Sequence, residues 1–168
     1  MNIVIFGPPG AGKGTQSKFI ENKYNLHQLS TGDLLRNEIK NRTKLGAEIS
    51  SIINSGELVS DEIVGKLIEK FISNDNYKQK IIFDGYPRTI KQAKILDLFL
   101  AESNQKIDFI FFLNVNKDTI IKRIERRKIL EKRSDDDLNT ILKRYDTYME
   151  TTKPVLDFYS KNPNFYEI

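Results

Sequence analysis

The sequence predicts a three-layer α/β fold, a central parallel sheet with helices on both faces. Three observations carry that expectation. Short apolar runs at Ile3-Val4-Ile5-Phe6, Lys80-Ile81-Ile82-Phe83-Asp84 and Ile107 to Val115 have the length and continuity of strands buried on both faces. They alternate with segments whose apolar residues recur at helical spacing, the pattern of right-handed strand–helix–strand crossovers. The first run leads directly into Gly7-Pro8-Pro9-Gly10-Ala11-Gly12-Lys13-Gly14-Thr15 and then into an amphipathic stretch, Gln16 to Lys23. Strand, glycine-rich turn and helix in that order form the context of a phosphate-holding loop, or P-loop.

The chemistry of that loop is local. Glycines let backbone N–H groups converge without Cβ interference. The start of the following helix adds roughly half a positive charge, and Lys13 adds a full one toward the outer phosphates. A bare turn would need one or two glycines and no lysine. Gly10, Ala11, Gly12, Lys13, Gly14 and Thr15 are therefore the candidate cradle. The residue after the lysine is usually Ser or Thr, whose hydroxyl meets Mg²⁺. Here it is Gly14, and the hydroxyl comes one place later at Thr15. That argues against a GTPase or motor ATPase and for a small P-loop kinase that holds its metal through water.

Further along, Tyr24-Asn25-Leu26-His27 breaks the first helix; the lone His27 has no metal-ligand spacing and reads as a surface or packing residue. Ser30-Thr31-Gly32-Asp33 reads as a loop and helix cap. Leu34, Leu35, Ile39, Leu45, Ile49, Ile52 and Ile53 then mark a small helical excursion ending at Gly56, with Arg36 one turn in as a candidate phosphate ligand. Ser60-Asp61-Glu62 opens another helix, closed by Asn74-Asp75-Asn76. Asp84 ends the next strand, where a P-loop site places an acidic residue facing the metal. Gly85-Tyr86-Pro87-Arg88-Thr89 is a constrained turn bringing Arg88 to the same edge, and Gln92 follows in a helix from Ile90 to Leu100. Asp118 to Arg127 is helical, so Arg123 and Arg127 share a face. Lys128 to Lys132 reads as a short charged connector. Arg133-Ser134-Asp135-Asp136 opens the last long helix, which carries Arg144 and an inner face of Leu138, Ile141, Leu142, Tyr145, Tyr148 and Met149. Pro154 is either a kink or a new helix start. Phe165 to Ile168 reads as the final strand.

Size and composition bound the function. The 168 residues suffice for one domain with small excursions. The apolar runs are too short to span a bilayer. With no cysteine, disulfides and thiolate zinc sites are excluded. No basic-then-apolar signal pattern opens the chain, so a cytosolic protein is expected. The net charge is +4, and Arg123, Arg126, Arg127, Arg133 and Arg144 fall in one segment. Such an excess suits nucleic acid or polyphosphates; without aromatic interleaving it fits clamped phosphates better, and neither a nucleic-acid nor a membrane partner is expected.

Taken in order, Gly-Pro-Pro-Gly-Ala-Gly-Lys-Gly-Thr at 7–15, Ser-Thr-Gly-Asp-Leu-Leu-Arg at 30–36, Asp-Gly-Tyr-Pro-Arg-Thr at 84–89 with Gln92 and Ala93, Arg123 with Arg127, Arg-Ser-Asp-Asp at 133–136, and Arg144 make the chain resemble the adenylate kinases along nearly its whole length. The resemblance implies a P-loop core (1–29, 60–126 and 134–168), a nucleoside-monophosphate flap (30–59) and a short lid (127–133). It implies Mg²⁺-dependent transfer of a phosphoryl group from ATP to AMP, giving two ADP, by a monomer. It also implies roles for individual residues. Gly10 to Thr15 would cradle ATP. Thr31, Arg36, Glu57, Leu58, Val59, Gly85, Tyr86, Pro87, Arg88 and Gln92 would line the AMP site. Arg123 would stack on the ATP adenine and Arg127 reach the transferred group. Arg133 and Arg144 would bridge both nucleotides. Lys13, Arg88, Arg127, Arg133 and Arg144 form the implied catalytic set. Asp84 and Asp33 would hold Mg²⁺ through water, with no direct protein ligand, and Asp135 and Asp136 would orient the arginines.

The uridylate/cytidylate kinases resemble the chain too and share the short lid; Thr31 and Gln92 favour adenine, since the Gln92 amide offers one donor and one acceptor to its edge. A non-catalytic ATP-binding module linked to nucleic acid is the remaining alternative. Two departures from the family pattern stand out. The lid lacks the usual glycine, so 128–132 could stay helical. The chain also ends just after its last strand, where relatives continue into an adenine-contacting loop and a helix; either this copy is naturally truncated or the sequence is a shortened form.

Overall fold

The computed structural model describes residues 1–131 and 137–168. The expected helix opening at Arg133-Ser134-Asp135-Asp136 therefore lies outside the described residues. Among those described, a five-stranded sheet has β1 (Ile3–Phe6), β2 (His27–Ser30), β3 (Ile81–Asp84), β4 (Phe109–Phe112) and β5 (Phe165–Glu167) in the order β2-β3-β1-β4-β5. Every pairing is parallel. From β1 the chain builds β2 and β3 on one side, then crosses to β4 and β5 on the other. The carboxyl end of β1 thus sits where the strand order reverses, the place at which open α/β sheets bind ligands.

The helices are α1 (Lys13–Tyr24), α2 (Thr31–Lys40), α3 (Lys44–Asn54), α4 (Asp61–Ile72), α5 (Ile90–Glu102), α6 (Lys117–Glu131), α7 (Leu138–Thr147) and α8 (Lys153–Tyr159). Side chains alternate across the sheet, as the two-residue period of a strand dictates. Val4, Phe6, Leu29, Ile81, Phe83 and Ile110 join the larger core, which includes Ile68, Leu96, Val155 and Tyr159 from the helices. Ile3, Ile5 and Ile82 face the other way and pack with Leu26, Ile20, Phe109 and Phe111. Ile120 and Ile124 join Ile141 in a third cluster that holds α6 to α7.

Three expectations need correction. The segment before α2 contains a strand, β2, that the polar His27 and Gln28 concealed; it pairs only with β3 at the sheet edge. His27 packs its ring edge-on to Tyr77, with centroids 4.7 Å apart. Lys128 onward is no connector: α6 continues through Glu131, since nothing between Lys117 and Glu131 is a glycine or proline to stop it. After α7 a π-helical turn, Tyr148–Thr152, intervenes, and Pro154 lies in the first turn of a new helix. That turn shifts the helical face, so Tyr148 is buried while Met149 is turned outward.

Candidate active site

The loop between β1 and α1 is built by backbone conformation first. Gly10 has φ +81°, and a Cβ there would lie 2.7 Å from Ile124 Cγ1, so the loop passes against α6 only because the side chain is missing. The ammonium of Lys13 folds back onto the same loop, donating to the carbonyls of Gly7 at 2.7 Å and Pro8 at 3.1 Å. Burial lowers its pKa to about 8; Asp84 opposes the shift, while the charges of Arg88, Arg144 and Arg127 add to it.

Asp84 ends β3 with its Cα in register with Ile5 of β1, which puts the carboxylate beside the loop. It is buried, and its Oδ2 accepts from Gln28 Nε2 at 2.8 Å. The turn after it folds onto α2. Thr31 Oγ1 and Arg88 Nε both donate to the carbonyl of Gly85, at 2.9 and 2.7 Å. The peptide between Tyr86 and Pro87 is cis. Tyr86 is fully buried and donates to the carbonyl of Gln92; burial and the nearby Asp61 charge push its phenol well above the ordinary range.

These elements enclose a cleft of about 1020 Å³ whose walls carry Lys13, Arg36, Arg88, Arg123, Arg126, Arg127 and Arg144, together with Asp33 and Asp84. Arg123 Nη1 donates to the carbonyl of Ala11 at 2.9 Å, tying α6 to the loop. A smaller cavity of about 50 Å³ adjoins it, lined by Thr31, Leu35, Ile53, Leu58, Val59, Val64 and Gln92, and Arg36, Arg88 and Arg144 border both. Glu57 borders that smaller cavity, but its exposed carboxylate turns outward to pair with Lys143 Nζ at 2.8 Å. Asp33 is paired with Arg36 at 2.5 Å. Pro87 lines a third pocket beside Lys13 and Tyr148. Arg133, Asp135 and Asp136 lie outside the described residues. The Gln92 amide does not face the cavity uncommitted: its oxygen accepts from the Arg88 backbone N–H and its nitrogen donates to Asp61.

Sequence reasoning missed three contributors. Arg126 lines the large cleft although its neighbours alone carried the expected spacing. Gln28 supports Asp84 from a strand that was not recognised. Asp61 looked like an ordinary first-turn acid. No group of three or more His, Cys, Asp or Glu suited to a metal occurs among the described residues. No helix among them is long and apolar enough to cross a membrane.

A P-loop at a sheet's reversal point, an acid at the neighbouring strand end and a cation-lined cleft with two compartments define a P-loop nucleotide-binding protein. The family model described as adenylate kinase matches residues 5–164. Similar proteins include the adenylate kinase of Pelagibacter ubique, 48% identical over 194 aligned positions covering 100% of this chain and 91% of that protein. The adenylate kinase of Azobacteroides pseudotrichonymphae is 46% identical, with 100% and 88% covered. That of Porphyromonas gingivalis is 43% identical, with 96% and 83% covered. The chain belongs to the adenylate kinase family.

Proposed function

We propose that the chain catalyses the reversible transfer of a phosphoryl group from ATP to AMP, giving two ADP. In this step an oxygen of the AMP phosphate attacks the γ-phosphorus, the bond to the β,γ-bridging oxygen breaks, and ADP leaves. Two polyanions must be brought face to face, so the work is positioning and charge neutralisation, with no general base needed for an already anionic nucleophile. The observation that carries this reading is the convergence of Lys13, Arg36, Arg88, Arg123, Arg127 and Arg144 on one cleft.

In this reading the loop N–H groups of Gly10 to Thr15 hold the ATP phosphates, and Lys13 leaves the Gly7 and Pro8 carbonyls to meet them. Arg123 lies against the ATP base. Arg127 neutralises the transferred group, and Arg88 and Arg144, bordering both compartments, hold the two nucleotides in line; guanidinium forks bind phosphate oxygens two at a time. Arg133 belongs to the same set. Thr31, Arg36, Glu57 to Val59, Gly85 to Arg88 and Gln92 form the AMP compartment. Residues 30–59, with α2 and α3, act as its flap, and 127–133 as a short lid. Closure of both excludes water and prevents hydrolysis of ATP.

The donor set fits a hard cation held mainly by phosphate and water: one buried carboxylate, Asp84, braced by Gln28, with Asp33 nearby and no third acid among the described residues of the cleft wall. Mg²⁺ bound there would neutralise charge developing on the β- and γ-phosphate oxygens. The family resemblance favours a monomer, and its free nucleotide substrates favour the cytosol. A concave, cation-lined cleft also suits small polyphosphates better than nucleic acid.

A coupled assay of ADP formation tests the reading, with ATP and Mg²⁺ against AMP, UMP and CMP. ADP formation that needs AMP supports it. ATP turnover indifferent to AMP but stimulated by RNA points to a nucleic-acid-linked module, and preference for UMP or CMP to a pyrimidine kinase.

A further inference from the structure

How the smaller cavity tells one base from another depends on a residue outside the expected set. Gln92, only 2% exposed, stands in the first turn of α5. Its Oε1 accepts from the Arg88 backbone N–H at 2.8 Å, and its Nε2 donates to Asp61 Oδ1 at 2.7 Å. The same Asp61 oxygen receives Thr89 Oγ1 at 3.3 Å, and Thr89 in turn caps α5 by accepting from the Gln92 backbone N–H at 3.1 Å. Asp61 is the first residue of α4, so two helix starts and the turn before α5 meet at this amide.

The consequence is directional. Turned over, the amide would set its NH₂ against a backbone N–H and its oxygen against a carboxylate. Both encounters are repulsive and leave buried groups unmet. The side chain is therefore held in one orientation from two sides. It has left one Nε2 hydrogen and one Oε1 lone pair, in fixed order, on a residue lining the same cavity as Leu35, Val59 and Val64. Adenine presents a ring-nitrogen acceptor beside an amino donor. A 6-oxopurine of nearly the same shape presents the reverse, a ring N–H beside a carbonyl, and would match only the inverted amide.

Resting on the reading of this cavity as the monophosphate site, we propose that Asp61 is a specificity-determining positioning residue. It fixes the Gln92 amide so that the cavity takes the 6-aminopurine pattern and rejects the 6-oxopurine pattern. Asp61 itself touches no substrate. The bland alternative is a first-turn acid stabilising α4 through the helix dipole, which would weaken all acceptors alike.

The experiment compares kcat/KM for AMP and for inosine monophosphate, which differ only at the reading edge, in the unmodified chain and in Asp61→Asn, Asp61→Ala and Glu62→Gln. Glu62 is an exposed first-turn acid of the same helix paired with Lys66 and serves as the control for lost charge. The unmodified chain should strongly prefer AMP. Asp61→Ala should raise the inosine-to-adenosine ratio of kcat/KM at least about tenfold, as expected when one orienting hydrogen bond is released, whereas Asp61→Asn, whose Oδ1 can still accept from Gln92, should stay near the unmodified ratio. The change should appear in KM with kcat for AMP nearly kept, and Glu62→Gln should leave the ratio where it was. An unchanged ratio in Asp61→Ala that melts as a folded protein overturns the proposal. If Asp61→Ala does not fold, equal use of the two acceptors by the unmodified chain overturns it, and strong preference for AMP that Asp61→Asn keeps supports it. Failure of the unmodified chain to use AMP at all would overturn the kinase reading instead.

Discussion

The two compartments of the cleft are built on opposite principles. The smaller is already assembled: Thr31 and Arg88 are bonded to Gly85, and Gln92 is bonded to Asp61 and to the Arg88 backbone. Those bonds tie the turn before α5 to the starts of α2, α4 and α5. The larger gathers Lys13, Arg123, Arg126 and Arg127 around about 1020 Å³, with Asp84 and Asp33 as the acids on its wall. There like charges crowd one space, and burial, reinforced by the charges of Arg88, Arg144 and Arg127, lowers the pKa of Lys13. One compartment is set by geometry, the other by charge that a polyanion must complete. Damage to the first should alter affinity and selectivity; damage to the second should abolish transfer.

The most severe test of that contrast is Lys13→Ala. Removing the cation between loop and phosphates should lower kcat/KM for ADP formation by about 10³-fold or more, a loss of ~4 kcal/mol in the transition state. Next comes Gly46→Ala, far from both ligands. A Cβ on Gly46 would lie 2.1 Å from the Glu38 carbonyl oxygen, so α3 could no longer sit against α2. Overpacking of this kind costs ~1–3 kcal/mol. It should raise KM for AMP about tenfold or more while leaving ATP affinity, read by calorimetry, unchanged; an equal loss on both sides would erase the distinction between compartments.

A gentler probe is pH. Lys13 titrates at about 8 in the free protein, whereas phosphate oxygens beside it would keep it protonated in the complex. Above pH 8 binding must therefore take up a proton, and ATP affinity should fall about tenfold per unit, with calorimetry in two buffers reporting the proton. AMP affinity, if it depends on geometry and arginines, should change far less. The smallest effect is expected from Lys143→Ala. The Glu57 pair it breaks is roughly half exposed on both sides, so less than about 1 kcal/mol is at stake. KM for AMP should shift less than about fivefold.

The parts legible in the sequence were those whose physics is local. A strand, a glycine-rich turn and a lysine at a helix start announce themselves within a few residues, as does an acid ending an apolar run at Asp84. β2 was illegible because four residues, three of them polar, become a strand only when β3 is there to pair with them. Gly46 carries no turn signal, since its reason is the closeness of α2. Asp61 reads as a helix-start acid until the fold brings Gln92 within 2.7 Å. The continuation of α6 through Glu131 was foreseeable from the missing glycine, yet the charged run suggested a connector.

By itself the sequence determined the α/β class, the phosphate loop and the identity of the arginines, because strand periodicity, glycine conformation and charge are properties of short stretches. Only the tertiary structure decided which of those charges share a cleft, and which way one buried amide faces. Those depend on groups distant in sequence meeting at hydrogen-bond range, and proximity across the chain is what folding alone supplies.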